Sequence, residues 1–262
     1  MTAKILARSI LSLVLVIASS FSALAESKLD IRLDGDADVT YNSNIAQVQG
    51  FPGDIINSYT GSATARYMLP SQTQILARVQ AQYSKFIKTS DFDRLGFTGS
   101  LNLSQWLFNS LNVYVALQPI KSISLTSNKQ PLDMLYMTGA TYYLPFLENE
   151  LAYGGYLFDR LQTEAADYRS YDHTVFVGLR HPFSDNFITF LGGRAKFRNV
   201  DNNQNDKQFS GNISAQYIIT DWLSIQATGE YTQVIASVAD KNVGVYNIGI
   251  NLAGGLNNSF KF

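Results

Sequence analysis

Between Lys28 and Asn42 the chain alternates without a break. Leu29, Ile31, Leu33, Gly35, Ala37, Val39 and Tyr41 are apolar or small, and Asp30, Arg32, Asp34, Asp36, Asp38, Thr40 and Asn42 between them are polar or charged. A period of two puts the two sets on opposite faces of one strand, one seeking hydrocarbon and the other water. The stretch is far longer than the roughly 5–6 residues usual for a strand in a globular domain. A tilted membrane-crossing strand takes about 9–11 residues and can project beyond the bilayer. The alternation therefore predicts one strand of a transmembrane barrel with a wet interior.

Residues 1–25 have the layout of a secretory signal peptide. Lys4 and Arg8 form a basic start, Ile10 to Ala18 an apolar middle, and Ala23-Leu24-Ala25 a small-residue cleavage site. The apolar part falls short of the roughly 20 residues that a membrane-crossing helix needs, and no later run approaches that length. The expected organisation is thus a cleaved signal over 1–25 and a barrel over 26–262. No cysteine occurs, which removes disulfides, thiolate catalysis and Cys-based metal sites together. Loss of Lys4 and Arg8 with the signal lowers Lys+Arg from 20 to 18 against 21 Asp+Glu, a net charge of −3 in place of −1. So mild a balance gives no basis for nucleic-acid binding. Aromatic residues make up 13% of the chain at a mean hydropathy of −0.04. That combination suits strands with one face in lipid and the other in water. The 15 Tyr, against 2 Trp, are the main material available for interfacial belts.

Short turns at 70–72, 105–109, 145–148, 182–186 and 220–222 recur about every 38–40 residues, rich in Pro, Asp, Asn and Ser with Trp or Phe close by. Longer polar connections lie between them at 43–57, 85–92, 119–133, 159–172, 199–207 and 236–242. Propellers and solenoids also show periods near 40 residues, but their units hold several short strands, and each unit here holds two long ones. Read by parity, the lipid-facing sets include Tyr59 to Leu69, Ile75 to Tyr83, Leu95 to Leu103 and Leu111 to Leu117. They continue through Tyr136–Leu144, Leu151–Leu157, Val175–Leu179, Phe209–Ile219 and Leu223–Tyr231. A last strand starts near Val243 and keeps its parity to Phe260 and Phe262, although the glycines and asparagines of 253–258 weaken it. The fold class expected is all-β: an antiparallel up-and-down transmembrane β-barrel of about 12 strands. An even number is required when both termini lie on the same side.

The closing Phe260-Lys261-Phe262 resembles the C-terminal signal read by the outer-membrane barrel insertion machinery. Together with the signal peptide and the hairpin period, it makes the mature chain resemble a Gram-negative outer-membrane β-barrel of porin type. The segment Val39-Thr40-Tyr41-Asn42-Ser43-Asn44-Ile45 resembles the Tyr-x-x-Asn-Ile element of β-barrel porin families without an assigned substrate. Those porins are usually longer and commonly carry an acidic residue where Ser43 stands. By strand number the chain is also similar to twelve-stranded nucleoside, acidic-sugar and phospholipase barrels, none of whose residue motifs it carries. The resemblance implies residence in the outer membrane among its lipids and insertion guided by Phe262.

Parity also yields a lumen inventory. Strand 1 offers Asp34, Asp36 and Asp38; Arg66, Arg78 and Arg180 come from strands 2, 3 and 8; and Arg194, Lys196 and Arg198 form a basic triplet on strand 9. A lipid-facing Arg or Lys at the bilayer midplane costs about 2–4 kcal/mol, so the triplet should face inward. That register places Ile188 and Phe190 inside as well, whereas a bulge at Gly192-Gly193 would switch half of the strand. An acidic wall facing a basic wall would set up a transverse field that selects ions and orients dipolar solutes. The same residues also serve as solvated or salt-bridged filling of a closed lumen. The connection 119–133 is long enough to fold inward as a constriction.

Catalytic chemistry is thin. The two histidines, His173 and His181, lie on one strand, the first expected inward and the second outward beside the periplasmic turn. The His-x-Ser of an outer-membrane phospholipase is absent, since His173-Thr174-Val175 and His181-Pro182-Phe183 stand in its place. Glu164 and Asp167 have the chemistry to hold Ca²⁺, and surface charge explains them equally well. Gly154-Gly155 and Gly254-Gly255 suit strand bending better than phosphate binding. The sequence thus points to no enzyme, no cofactor and no resident metal. The function expected is passive diffusion of small hydrophilic solutes; the rival is a non-conducting barrel acting through its extracellular loops, and a lipid-active enzyme using His173 comes third.

Overall fold

The computed structural model describes residues 28–44, 52–69, 72–124, 132–147, 150–163, 169–201, 205–237 and 242–260. The signal segment, Glu164, Asp167 and Phe262 lie outside the described residues. Twelve strands follow one another: β1 (Lys28–Asn42), β2 (Asp54–Met68), β3 (Thr73–Phe86), β4 (Arg94–Leu107), β5 (Leu111–Ser124), β6 (Leu132–Leu147), β7 (Glu150–Gln162), β8 (Ser170–Pro182), β9 (Phe187–Val200), β10 (Asn205–Thr220), β11 (Leu223–Ile235) and β12 (Val243–Phe260). Each pairs antiparallel with its sequence neighbours, and β12 pairs with β1 from Asn42↔Asn247 to Leu29↔Phe260, closing the barrel. Closure leaves no strand edge, the condition for a sheet to cross hydrocarbon with its backbone groups satisfied.

The face assignment rests on what is exposed. Val177 and Ile248 each expose 63% of their surface, and Leu191 and Ile213 lie on the same outer face. Such residues define a wall meant for lipid rather than water. Aromatic residues gather at both ends of that wall. Tyr231 and Tyr246 pack at 4.7 Å, and Phe197 and Phe209 edge-to-face at 6.3 Å, on the long-loop side. Phe183 and Phe187 stack at 5.6 Å on the short-turn side.

The strands run longer than the sequence pattern indicates. Gln105, Trp106 and Leu107 belong to β4, and the connection is only Phe108-Asn109-Ser110, the first two at positive φ (54° and 59°), with Ser110 N donating to Leu107 O at 3.3 Å. Two left-handed residues make a type I′ hairpin turn, whose twist matches that of the flanking strands. Most of the 119–133 connection is also strand: β5 extends through Ser124 and β6 starts at Leu132, so an inward constriction is not formed by those residues. Pro119 is accommodated within β5, where pairing with β4 lapses between Ile120 and Leu117 without a change of register. The stretch 253–258 is continuous strand, paired with β1 throughout.

Strand β7 corrects the parity reading. Its outer residues are Ala152, Gly154 and Tyr156, while Leu151, Tyr153 and Leu157 face the lumen. The register with β6 sets this, since Ala140↔Tyr156 and Gly139↔Leu157 are partners and Tyr142 and Leu144 are on the lipid wall. β7 is apolar on both faces, so alternation alone did not decide it. His173 is corrected with it. It shares the outer face of β8 with Val175 and Val177, its Nδ1 lies 2.6 Å from the Tyr156 hydroxyl, and its ring packs 5.2 Å from Phe158.

Candidate functional site in the barrel lumen

The substantial contacts between elements are all between neighbouring strands, apart from one turn of 3-10 helix at Ser90–Phe92 against β3. Among the described residues no helix or strand fills the cylinder. The inner wall is therefore the candidate site, and its character changes around the circumference.

One sector runs from β1 to β3. Asp34, Asp36, Arg66 and Arg78, with Arg32, line one side of a cavity of about 620 Å³ toward the short-turn end, and Gln216, Ile218 and Ser224 line the other. Arg32 Nε donates to Asp34 at 2.5 Å, and Arg78 Nη2 donates to Ser62 Oγ at 3.1 Å. Arg66 stands directly opposite Asp30 in the β1–β2 register. Asp38 accepts a 2.5 Å bond from the Thr40 hydroxyl and lies nearer the long-loop end. These groups are partly exposed to the lumen, with both signs interleaved.

The second sector is β7 to β11. All three basic residues of β9 are on the inner face, and the register of β9 is unbroken with both neighbours, so there is no bulge at Gly192-Gly193. Ile188 and Phe190 consequently share that face. The triplet is not a free cationic wall. Asp172 on β8 accepts from both Lys196 and Arg198, the latter at 2.9 Å, and is itself only 1% exposed. Asp159 stands beside Asp172 on β7, and Asp206 beside Arg198 on β10. Arg194 donates to Glu230 at 2.7 Å and to Ser210 Oγ at 2.9 Å. Arg180 stands apart from the others near the short-turn end, between Leu151 and Phe190 in register. A simple acid wall against a basic wall is thus replaced by local pairing. Asp159 and Asp172 were missed because they fell at the two ends of the expected connection 159–172, where β7 runs on to Gln162 and β8 begins at Ser170; Glu230 lay in plain alternation on β11.

The third sector has no counterpart in the sequence reading. Trp106, Tyr143, Tyr153 and Phe176, on β4, β6, β7 and β8, form an inward-facing ladder of rings with successive centroids 5.3, 6.3 and 6.5 Å apart. Glycines make room for it. A Cβ at Gly155 would stand 2.6 Å from Phe176 Cζ, and one at Gly178 would collide with the Tyr153 ring. A Cβ at Gly155 would also collide with the Ala140 carbonyl oxygen, so Gly155 serves close approach of backbone and ring rather than strand bending.

At the long-loop mouth Asp54, fully buried, accepts from the backbone N–H groups of Ile55, Lys88 and Thr89 at 2.7–2.9 Å and from the Thr89 hydroxyl at 2.7 Å. It pins the β3–β4 connection to the rim. No group of three or more His, Cys, Asp or Glu placed to hold a metal ion occurs among the described residues.

This closed cylinder, lipophilic outside and polar within, is the fold of outer-membrane β-barrels. Solved structures bear that out. An outer membrane channel from Pseudomonas putida F1 aligns with TM-score 0.55 at 9% identity over 89% of this chain and 97% of that one. A bacterial polysaccharide outer membrane secretin aligns at 0.53 and 8% identity, over 87% and 98% of the two chains. The translocator domain of the autotransporter NalP from Neisseria meningitidis aligns at 0.50 and 13% identity over 100% of both. At these identities the likeness is one of fold. No family model and no curated protein matches the chain.

Proposed function

We propose that this protein is an outer-membrane channel for passive diffusion of small hydrophilic solutes. The observation that carries the reading is a closed barrel whose inner wall is polar and charged over β1–β3 and β9–β11, with no described helix or strand occupying the lumen. Polar side chains lining a water-filled barrel replace part of a solute's hydration and set which ions pass. The interleaved signs of the first sector favour weak ion selectivity over strong exclusion of either sign. Asp34, Asp36 and Asp38 with Arg66 and Arg78 line one side of the path. Arg180, Arg194, Lys196 and Arg198 line the other, with Lys196 and Arg198 acting mainly through their hold on Asp172. Export by the signal segment and insertion through Phe262 belong to the same reading, as does the absence of enzymatic activity.

Single-channel recording in planar bilayers tests it. Stable ohmic steps, with a reversal potential displaced by Asp36→Lys and by Arg194→Glu under a salt gradient, are the expected result. A folded, heat-modifiable barrel that passes no current would overturn it in favour of a barrel that acts through its loops.

A further inference from the structure

Halfway along the lumen the aromatic and polar sectors meet. A pocket of about 460 Å³ lies there, bordered by the rings of Tyr153 and Phe176, by the Arg194–Glu230 ion pair, and by side-chain amides. That volume falls within the roughly 300–1,000 Å³ of small-molecule sites. We propose that it is a binding site for a neutral sugar ring, a pyranose unit of a mono- or oligosaccharide in transit. The proposal deepens the channel reading, and its meaning for transport rests on it.

Three features select this ligand class. The first is the pair of rings. Tyr153 and Phe176, 6.5 Å apart with planes inclined by 54°, are held against the wall because Gly178 and Gly155 leave them space. A pyranose presents a face of C–H groups, slightly positive, that sits well on the negative face of an aromatic ring. An open-chain polyol has no such rigid face.

The second is the amide set. Asn212 and Asn247 border the pocket, and among the described residues neither side chain has a hydrogen-bond partner. Gln226 spends one donor on Ser214 Oγ at 3.1 Å and keeps its carbonyl. An amide offers donor and acceptor together, which matches a hydroxyl that is also both. A planar aromatic acid would use few of these groups.

The third is charge. Arg194 and Glu230 bond to each other at 2.7 Å, cancel, and remain 53% and 29% exposed. Each has hydrogen-bonding capacity left for neighbouring hydroxyls, and the pair gives no net attraction to an ion. A site built for an anion would carry a surplus of donors and positive charge, and the pocket carries neither.

The test uses the full-length protein expressed in cells, with the folded barrel purified from membranes in detergent. Saturation-transfer NMR with methyl glucoside, cellobiose, sorbitol and benzoate reads binding directly. Ring protons of the two sugars are expected to receive magnetisation, with sorbitol at least several-fold weaker and benzoate silent. Phe176→Leu and Tyr153→Leu keep apolar bulk while removing the ring face, and each should weaken cellobiose binding about three- to tenfold. Asn247→Ala should weaken it by a smaller factor. Each variant is first shown to be heat-modifiable, so a loss of binding is not a loss of fold. Equal response to sorbitol and methyl glucoside, benzoate binding without sugar binding, or silence from both sugars would each overturn the site. Conductance is read separately: a barrel that conducts without binding sugar leaves the channel standing and removes the site, while one that binds sugar without conducting keeps the site and removes the channel.

Discussion

The lumen has two charged sectors that the same alternation rule assigns to water, yet they are built differently. On β1 the carboxylates of Asp34, Asp36 and Asp38 are partly exposed, and Asp34 and Asp38 are answered by near neighbours in sequence, Arg32 and Thr40. On β7 to β9 Asp172 is shut away from solvent between Lys196 and Arg198, partners that arrive from the adjacent strand. Solvated charge is cheap to change and sets the field felt by a passing ion. Buried charge is costly to orphan and holds strands together. Residues of the first kind would tune the proposed channel, and those of the second build the barrel.

The largest effect should follow loss of Asp172. Asp172→Ala removes the carboxylate that Lys196 and Arg198 share and leaves them only the neighbouring Asp159 and Asp206, at a cost of about 3 kcal/mol, the low end for a broken buried pair because Arg198 keeps 34% of its side chain exposed. The midpoint of urea unfolding in detergent, followed by heat modifiability on gels, should fall clearly; an unchanged midpoint would erase the distinction between the sectors.

Next comes the outer wall. Val177→Arg puts a charge into the lipid face and should cost about 2–4 kcal/mol in refolding equilibria with lipid bilayers. A neutral result would show that Val177 does not face hydrocarbon.

Gly178→Ala comes third. Its new methyl group meets the Tyr153 ring, which must shift, at a cost of about 1–3 kcal/mol. Near-ultraviolet circular dichroism should change with it, and an unaltered spectrum would mean that the ring does not rest on Gly178.

The smallest effect on stability belongs to β1. Asp36→Lys should move the unfolding midpoint by no more than about 0.5 kcal/mol while shifting the reversal potential toward anion selectivity. A large loss of stability there would place Asp36 in the same structural class as Asp172.

Strand number and the inner position of the basic triplet were legible because alternation with one charged face has a single solution. Arg194, Lys196 and Arg198 cannot face lipid, and they carried Ile188 and Phe190 inside with them. β7 was not legible. Leu151, Ala152, Tyr153, Tyr156, Leu157 and Phe158 put apolar groups on both faces, and a period of two says nothing when both phases are equally greasy. The error at His173 had another source, for it shares its parity with the outward Val175 and Val177. The aromatic ladder escaped notice because β7 read in the opposite phase turns Tyr153 outward, and because its glycines resemble bend residues.

The chain by itself determined that it would alternate, cross lipid as strands and close in an even number, because unsatisfied backbone groups and lipid-facing charges are too costly in hydrocarbon for another arrangement. Only the tertiary structure decided which inner residues meet. Register between neighbouring strands gave Asp172 two cations, laid Phe176 against Gly155, and brought Arg194 to Glu230 from β9 and β11. Those meetings depend on pairing between strands, a property that no single strand's pattern contains.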